Sequence, residues 1–370
     1  MTAHARRPDP RGSRPSIPSL AQIFWSPLAN GFRRMAEWRR RGVLGEALQA
    51  HRRRAAMRFD TLEPRILLSA DLTHAAAEGV ALDATLRVDD AGGAPILRLI
   101  DNPSSTILGE HLIDQDINFT VLGNDQSDRL KIGFDRASLA HQVRVNFHGG
   151  EGGADELIGA DSDSTWILDG PGSGSSDDAT FTGVERVEGG AGDDTFVVLD
   201  ASITTEVAGG AGDDTLVGAD ADNTWVITGE DAGALNGQGF VEIENLTGGA
   251  ANDTFIFAGG SISGTIDGGG GVNTFDYGSR TASVTVDLEA GAATDVAAMV
   301  NVTRVVGGQG NDTLIGRSED NTWTVSGRNA GGVGSVEFAE IENVTGGAGS
   351  DSFVFAQDAR LDGLISGGLG

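Results

Sequence analysis

The chain has 370 residues, 56 of them glycine and none of them cysteine, which excludes a disulfide framework and a metal cluster built on thiolates. Asp and Glu number 54 against 26 Lys and Arg, and the formal net charge of −28 disfavours binding to nucleic acid phosphates. The sequence holds no apolar run of about 18 residues, the minimum for a transmembrane helix.

Charge divides the chain near residue 70. Residues 1–70 carry 14 arginines against 5 acidic residues, whereas residues 71–370 carry 12 Lys and Arg against 49 Asp and Glu, so the two parts have net charges of +9 and −37. A body this acidic repels anionic membrane surfaces and attracts cations.

Residues 1–58 form a basic leader. Pro, Arg and Ser dominate residues 1–19, which predicts disorder, and residues 20–58 set apolar residues among arginines in a helical pattern. This part is either a solvated, partly helical leader or a basic amphipathic helix that binds an anionic membrane or a partner. A secretory signal of the usual kind is missing, because the best candidate for its apolar core, Ile66 to Leu68, is too short.

Residues 59–71 contain the string LEPRILLSAD. It resembles the LEPR-XLL domain, a short motif near the N-terminus of very large, repetitive proteobacterial proteins. The resemblance is confined to this segment, and it implies export or surface display with a role in sorting or processing. The alternative is a helix that ends at Pro64 and is followed by an apolar contact.

Residues 72–148 alternate apolar and polar residues in strings such as TLRVDD, INFTVLG and QVRVNF, with turn-forming strings such as GNDQSD between them. The alternation predicts short β-strands. An array of repeats exposes an apolar end that must be covered, so we expect this segment to be a β cap on the array that follows.

Residues 149–370 repeat a glycine–aspartate motif, GGAGDD in its best copies. The copies start at Gly150, Gly189, Gly209, Gly248, Gly268, Gly307, Gly346 and Gly367. The starts differ by 39, 20, 39, 20, 39, 39 and 21 residues, which indicates a coil of about 20 residues, with degenerate copies in the long gaps. A glycine turn followed by a short apolar strand predicts an all-β fold, a parallel β-solenoid that is truncated at the C-terminus.

Two sets of large apolar residues recur in the repeats. The first set is expected to stack as one internal ladder and contains Phe196, Leu216, Phe255, Phe275, Leu314 and Phe353. The second set lies in the long gaps and contains Trp166, Trp225 and Trp323. Equal positions in a thin β-core favour packing of these tryptophans over stacking on carbohydrate.

The motif resembles the G-G-x-G-x-D-x-U-x repeat of RTX, or haemolysin-type, proteins. In that family, calcium lies between equivalent turns of adjacent coils of a β-roll and is held by aspartate carboxylates and turn carbonyls. The coil here is longer, and it carries one recognisable glycine–aspartate turn. A right-handed β-helix therefore stays open beside the β-roll.

The resemblance implies Ca²⁺ as the cofactor. Calcium takes about six to eight oxygen ligands, so it needs two adjacent intact turns. The turns 189–194 and 209–214 are the best pair, and the pair at Gly248 and Gly268 is weaker because Asn273 replaces the aspartate. The expected site residues are Gly189, Gly190, Gly192, Asp193, Asp194, Gly209, Gly210, Gly212, Asp213, Asp214, Asp253, Asp312 and Asp351. The alternative is that these aspartates only cap turns by accepting backbone N–H groups.

These features favour an exported, non-enzymatic calcium-binding protein of the bacterial surface or extracellular matrix, which acts as an adhesin or structural component and folds on calcium outside the cell. Its expected partners are calcium, a secretion machinery, and cell-surface glycans or other repeat proteins. A calcium-independent stalk and the N-terminal part of a larger exported enzyme or toxin are the alternatives. Catalysis within residues 150–370 is disfavoured, because this range has no His or Lys and a single tyrosine.

Overall fold

The fold is taken from a computed structural model that describes residues 69–90 and 95–370. The predicted basic leader, residues 1–58, lies outside the described residues, as do residues 59–68 of the segment that resembles LEPR-XLL. Within the described ranges the chain forms 33 β-strands and one 3₁₀ turn, Arg136–Ser138, with no α-helix. No helix there is long and apolar enough to cross a membrane.

The strands are short, and each ends at a turn rich in Gly, Asp or Asn. The first sixteen are β1 (Ser69–Ala75), β2 (Asp83–Asp90), β3 (Pro95–Asp101), β4 (Ile107–Leu112), β5 (Asp116–Leu122), β6 (Arg129–Gly133), β7 (Val143–His148), β8 (Glu156–Ile158), β9 (Thr165–Gly170), β10 (Ser173–Ser175), β11 (Ala179–Thr182), β12 (Arg186–Gly190), β13 (Thr195–Val198), β14 (Glu206–Gly210), β15 (Thr215–Val217) and β16 (Thr224–Gly229). The others are β17 (Ala232–Leu235), β18 (Gln238–Val241), β19 (Asn245–Thr247), β20 (Thr254–Phe257), β21 (Ile262–Asp267), β22 (Thr274–Asp276), β23 (Thr285–Asp287), β24 (Ala292–Ala293), β25 (Val296–Val300), β26 (Arg304–Val306), β27 (Thr313–Ile315), β28 (Thr322–Gly327), β29 (Ala330–Val333), β30 (Val336–Ala339), β31 (Asn343–Thr345), β32 (Ser352–Phe355) and β33 (Ile365–Ser366).

Two long sheets contain all of these strands. Sheet A has the order β1-β5-β7-β11-β10-β9-β13-β15-β19-β21-β25-β24-β23-β27-β31-β33. Sheet B has the order β4-β3-β2-β6-β8-β12-β14-β18-β17-β16-β20-β22-β26-β30-β29-β28-β32. The chain passes from one sheet to the other at each glycine–aspartate turn, and strands of successive coils pair in parallel. The fold is therefore the predicted all-β, parallel β-solenoid.

One coil consists of two units, each a turn followed by a strand, with one unit in each sheet. Thr195 of β13 pairs with Thr215 of β15 in sheet A, and Thr254 of β20 pairs with Thr274 of β22 in sheet B. Partners that lie 20 residues apart confirm the predicted coil length.

The 39-residue gaps hold antiparallel meanders in addition to degenerate copies of the turn, such as 218–223 before β16. The meanders are β9–β11, β16–β18, β23–β25 and β28–β30, and they lie in sheets A, B, A and B in turn. Each meander adds two strands to one sheet, so the alternation lengthens both sheets equally. It also divides the glycine–aspartate turns into short separate stacks.

The core lies between the two sheets. Trp166, Trp225 and Trp323 are fully buried there, which confirms packing and rules out stacking of these rings on carbohydrate. Each indole stacks on a phenylalanine of the next coil, with ring centroids 5.7 Å apart for Trp166 and Phe196. Such stacked pairs add about 0.5–1.5 kcal/mol beyond the burial of their area.

The predicted single ladder is wrong, because its members are divided between the sheets. Phe196, Leu216 and Leu314 belong to sheet A, whereas Phe255, Phe275 and Phe353 belong to sheet B. The physical reason is that the repeated unit is half a coil. Each passage through a meander sends the next copies of the motif to the opposite sheet.

The segment expected to be a β cap shares the two sheets of the array. Strands β1, β5 and β7 pair in parallel in sheet A, and β2, β6 and β8 do so in sheet B. Parallel pairing therefore starts before the first glycine turn. Only β3 and β4 differ, because they continue sheet B as antiparallel strands beyond β2.

Candidate functional site

Each glycine–aspartate turn has six positions that end where the next strand begins. In the turn 189–194, Gly189 holds position 1 and Asp194, directly before β13, holds position 6. The position-6 side chain is buried beneath the turn, and Asp194 and Asp214 are 1% and 0% exposed. Carboxylates are rarely this buried unless something offsets their charge.

The turns 189–194 and 209–214, predicted as the best pair, lie on each other in consecutive coils. Gly190 pairs with Gly210 in the parallel strands β12 and β14. The N–H of Ala211 donates to the carbonyl oxygen of Gly190 at 2.9 Å. The structure therefore brings the predicted residues of this pair together, and their role as metal ligands stays a prediction.

Two ladders of hydrogen bonds run from side chains to backbone along this stack. At position 6, the N–H of Ser164 donates to Asp194 Oδ1 at 2.8 Å, and the N–H of Asp194 donates to Asp214 Oδ1 at 2.7 Å. At position 5 the direction is reversed, and the N–H of Asp213 donates to Asp193 Oδ1 at 2.9 Å. The aspartates therefore do cap the turns, which was the alternative to metal binding. Only one carboxylate oxygen of each buried aspartate, Oδ1, takes part in this capping.

The second oxygen, Oδ2, of five position-6 aspartates is buried and has no hydrogen-bond partner within the described part of the chain. These aspartates are Asp155, Asp194, Asp214, Asp253 and Asp351. A buried acceptor without a donor costs about 1–3 kcal/mol, and more when it is charged. Each of these oxygens therefore calls for a proton or a cation.

A carbonyl oxygen of the following coil shares the space of each unpartnered Oδ2. A Cβ added at Gly189 would meet Asp194 Oδ2 and would lie 2.6 Å from the carbonyl oxygen of Gly209. The stack at Gly248 is alike, because a Cβ there would meet Asp253 Oδ2 and the next carbonyl at 2.5 Å. Position 1 must therefore be glycine, because the unpartnered Oδ2 and a carbonyl oxygen of the next coil both lie where a Cβ would be.

Burial is the main cause that raises the pKa of Asp155, Asp194 and Asp214 to about 6. Hydrogen bonds from backbone or hydroxyl donors lower these pKa values in part, whereas neighbouring carboxylates raise them. Burial also raises the pKa of Asp253. At neutral pH the turns therefore hold charged carboxylates in a place that disfavours their charge.

Asp312 belongs to an intact motif but differs in its hydrogen bonds. Its Oδ1 accepts the N–H of Val284 at 2.7 Å, and its Oδ2 accepts the N–H of Gly308 at 2.6 Å. Both oxygens are therefore used by the backbone. The structure also gives Asp312 no second intact turn, since Glu342 of the next coil accepts its N–H at 2.9 Å.

The remaining predicted residues shape the turns. Asp193 and Asp213 are exposed on the outer side, and Asp213 Oδ1 also accepts Asn245 Nδ2 at 2.7 Å. Gly190 and Gly210 have φ of 128° and 104°, in the region that favours glycine. A neighbouring coil approaches closely at the other predicted positions and requires glycine there, the following coil at Gly209 and the preceding coil at Gly192 and Gly212.

Sequence reasoning missed Asp155 and three glutamates. Asp155 was hidden by an extra residue in its turn, although its spacing to Leu157 matches that of Asp214 to Leu216. The glutamates end the stacks, and their Oε2 atoms accept the position-6 N–H of the preceding coil at 2.8–2.9 Å. They are Glu185, Glu244 and Glu342. Their signal is the recurring VERV and EIEN strings.

The donor set of the turns fits a hard cation. Among the described residues, no three side chains of Asp, Glu, His or Cys converge as a metal cluster. An ion in these turns would therefore take most of its ligands from backbone carbonyls, which are ordinary calcium ligands. Carboxylate and carbonyl oxygens suit calcium or magnesium better than a transition metal.

Comparisons with known proteins found no match, either among models of protein families or among curated proteins. The resemblances to LEPR-XLL and to RTX repeats therefore rest on the motifs alone.

Proposed function

We propose that the chain is an exported calcium-binding repeat protein of the bacterial surface or extracellular matrix, in which calcium in the glycine–aspartate turns stabilises the solenoid. The observation that carries the proposal is the set of five buried Oδ2 atoms without a partner in the described chain. They recur at the same position of stacked turns, each close to a carbonyl oxygen of the next coil.

Asp194 and Asp214 would be the principal ligands of the best pair. Their Oδ2 atoms lie near the carbonyl oxygens of Gly209 and Glu242, which belong to the following coils. Bound calcium supplies two positive charges that offset the buried carboxylate and satisfy the carbonyl oxygens together. The Oδ1 atoms would keep their backbone hydrogen bonds when the ion is bound.

Export gives the binding a role. Metal that binds only the folded state adds its binding free energy to the stability of the fold. At the low calcium of a cytoplasm the acidic coils would stay weakly folded, and at the higher calcium outside they would fold. The resemblance to LEPR-XLL and RTX proteins supports this order of events.

A calcium-independent stalk is the second candidate. The ladders of Oδ1 acceptors favour it, because they tie successive turns together without an ion. The fully hydrogen-bonded Asp312 shows that such a turn can be completed by backbone donors. In this case, protons rather than calcium would offset the buried carboxylates.

Calcium titration of the full-length chain tests the proposal. Far-UV circular dichroism and thermal melting would be followed in EGTA and after addition of calcium chloride, with magnesium chloride as the control. We expect a calcium-specific gain in β signal and melting temperature. The matched variant Asp194→Asn with Asp214→Asn should show a smaller gain than the parent chain. Equal melting in calcium and EGTA would instead favour the stalk.

A further inference from the structure

The turn before β16 carries Asn223, and not aspartate, at position 6. Its Nδ2 donates to the carbonyl oxygens of Ala219 at 2.9 Å, Ala221 at 2.8 Å and Gly248 at 2.7 Å. The same nitrogen lies 2.9 Å from Asp253 Oδ1. One amide nitrogen is therefore surrounded by four oxygens from two successive turns.

The turn before β28 repeats this arrangement. Asn321 Nδ2 lies 2.8 Å from the carbonyl oxygens of Arg317, Glu319 and Gly346, and 2.9 Å from Asp351 Oδ1. These partners occupy the same positions as those of the first asparagine: positions 2 and 4 of the same turn, and positions 1 and 6 of the next. The pattern is therefore built twice, although the residues at positions 2 and 4 differ.

The orientation of the first amide is fixed by its other end. Asn223 Oδ1 accepts a hydrogen bond from Asn236 Nδ2 at 2.9 Å, so the NH₂ group must face the four oxygens. An amide has two hydrogens for these four acceptors. The four oxygens therefore outnumber the two hydrogens that the amide can donate. Such an excess of converging oxygens is typical of a cation site.

The amide nitrogen occupies the place that the unpartnered oxygen has in an aspartate turn. A Cβ added at Gly218 would lie 2.5 Å from the next coil's position-1 carbonyl oxygen and 2.9 Å from Asn223 Nδ2. A Cβ added at Gly189 would lie 2.6 Å from the equivalent carbonyl oxygen and would meet Asp194 Oδ2. The two turns differ in whether this place holds a donor or a charged acceptor.

We propose that the side-chain amides of Asn223 and Asn321 stand in for the cation of their turns. These two turns are complete without metal, and calcium loads only the turns that carry an unpartnered aspartate oxygen. The proposal rests on the proposed function, because it takes calcium as the ion that the aspartate turns bind. Asn223 and Asn321 thereby determine which turns bind metal.

The two asparagine turns would therefore stay folded at low calcium and hold neighbouring coils together. Each lies at the start of a meander of sheet B, and the Nδ2 of each asparagine donates to Oδ1 of an aspartate in the following coil. Asn273 is a smaller case, since its Nδ2 donates to two carbonyl oxygens, those of Gly270 at 2.9 Å and Asn301 at 3.0 Å.

The variants Asn223→Asp and Asn321→Asp, made in the full-length chain, test the proposal. Bound calcium would be counted by equilibrium dialysis against calcium chloride, and melting would be followed in EGTA. Each variant is expected to bind one more calcium per chain than the parent, to melt lower in EGTA, and to recover in calcium. An unchanged calcium count would overturn the proposal.

Asn146→Asp is the matched control. This residue lies on β7, where Asn146 Oδ1 accepts the hydroxyl of Thr180 at 2.8 Å, and a carboxylate keeps that role. The change adds the same charge outside the turns, so the calcium count should stay as in the parent. A gain of calcium here would mean that net charge, and not the turn, determines loading.

Asp194→Asn is the reciprocal variant and keeps the test open if Asn223→Asp fails to fold. It should bind one calcium fewer than the parent and melt higher in EGTA. Retention of the full calcium count would overturn the proposal by itself. A parent chain that binds no calcium would instead overturn the proposed function, which is a separate outcome.

Discussion

The turns 209–214 and 218–223 follow each other along the chain and share Gly at position 1 and Asp at position 5. Positions 2 to 4 differ, and position 6 is Asp214 in one turn and Asn223 in the other. Asp214 leaves one buried oxygen without a partner in the described chain, whereas Asn223 Nδ2 is within 2.7–2.9 Å of four oxygens. The turn with aspartate at position 6 therefore has an oxygen that needs a proton or an ion, whereas the position-6 amide of the other turn has its partners within the chain.

The comparison shows where the stability of a glycine–aspartate turn resides. A backbone carbonyl of the next coil approaches the position-6 side chain in both turns, that of Glu242 at Asp214 and that of Gly248 at Asn223. An amide offsets this convergence with its own donors, and a carboxylate adds charge to it. The residue at position 6 thus decides whether stability is intrinsic or depends on calcium or protons.

The largest effect is expected from Asn223→Ala in EGTA. It should destabilise the fold by about 3 kcal/mol, since roughly two net hydrogen bonds are lost and several buried acceptors are left unpaired. Urea unfolding followed by circular dichroism would measure the change. Asp214→Ala in EGTA should cost less, because it also removes an unpaired buried charge. Equal losses in the two variants would remove the distinction between the turns.

A smaller effect of opposite sign is expected from Asp214→Asn in EGTA. The new amide can donate to the carbonyl oxygen that now faces Oδ2, and the buried charge disappears, so we expect a gain of about 1 kcal/mol. The same unfolding measurement should show that added calcium stabilises this variant less than the parent chain. A loss of stability in EGTA would argue that the carboxylate is satisfied in a way that the geometry does not include.

A third effect is expected from pH. The folded pKa of Asp155, Asp194 and Asp214 is raised from 3.8 to about 6, so the folded state binds more protons than the unfolded state between these values. The calcium-free protein should therefore become more stable as the pH falls from 7 to about 5, and calcium should bind more weakly there.

Melting in EGTA at several pH values checks this dependence. The variant Asp194→Asn with Asp214→Asn is the control, and its melting temperature should rise less on acidification. A parent chain whose stability falls over this range would mean that the buried carboxylates are better satisfied as anions than as acids.

Much of the fold was predictable because the repeat unit carries its own geometry. A glycine turn followed by Thr-Phe-Val-Val can form only a turn and a short strand, and a 20-residue step fixes the coil. The meanders were missed because the motif spacing alone cannot distinguish a hairpin from a degenerate coil. One signal was present: Asn236 and Gly237, both with positive φ, form a two-residue hairpin between β17 and β18.

The sequence predicted where the position-6 aspartates lie, but not which of their oxygens have hydrogen-bond partners. The motif placed Asp194 and Asp312 at the same step, yet one Oδ2 is left without a donor among the described residues and the other accepts the N–H of Gly308. That difference depends on how the neighbouring coil orients the turn backbone. The role of Asn223 was hidden for a similar reason, since substitution of Asp by Asn reads as loss of a site until the surrounding oxygens are known.

Anomalous diffraction from crystals of the full-length chain grown in calcium chloride would locate bound calcium and so test whether the residue at position 6 determines where it binds. We expect anomalous peaks within bonding distance of Oδ2 of Asp194 and Asp214, and none between Asn223 and Gly248. A peak at Asn223, or saturating calcium with no peak at Asp194, would contradict this expectation.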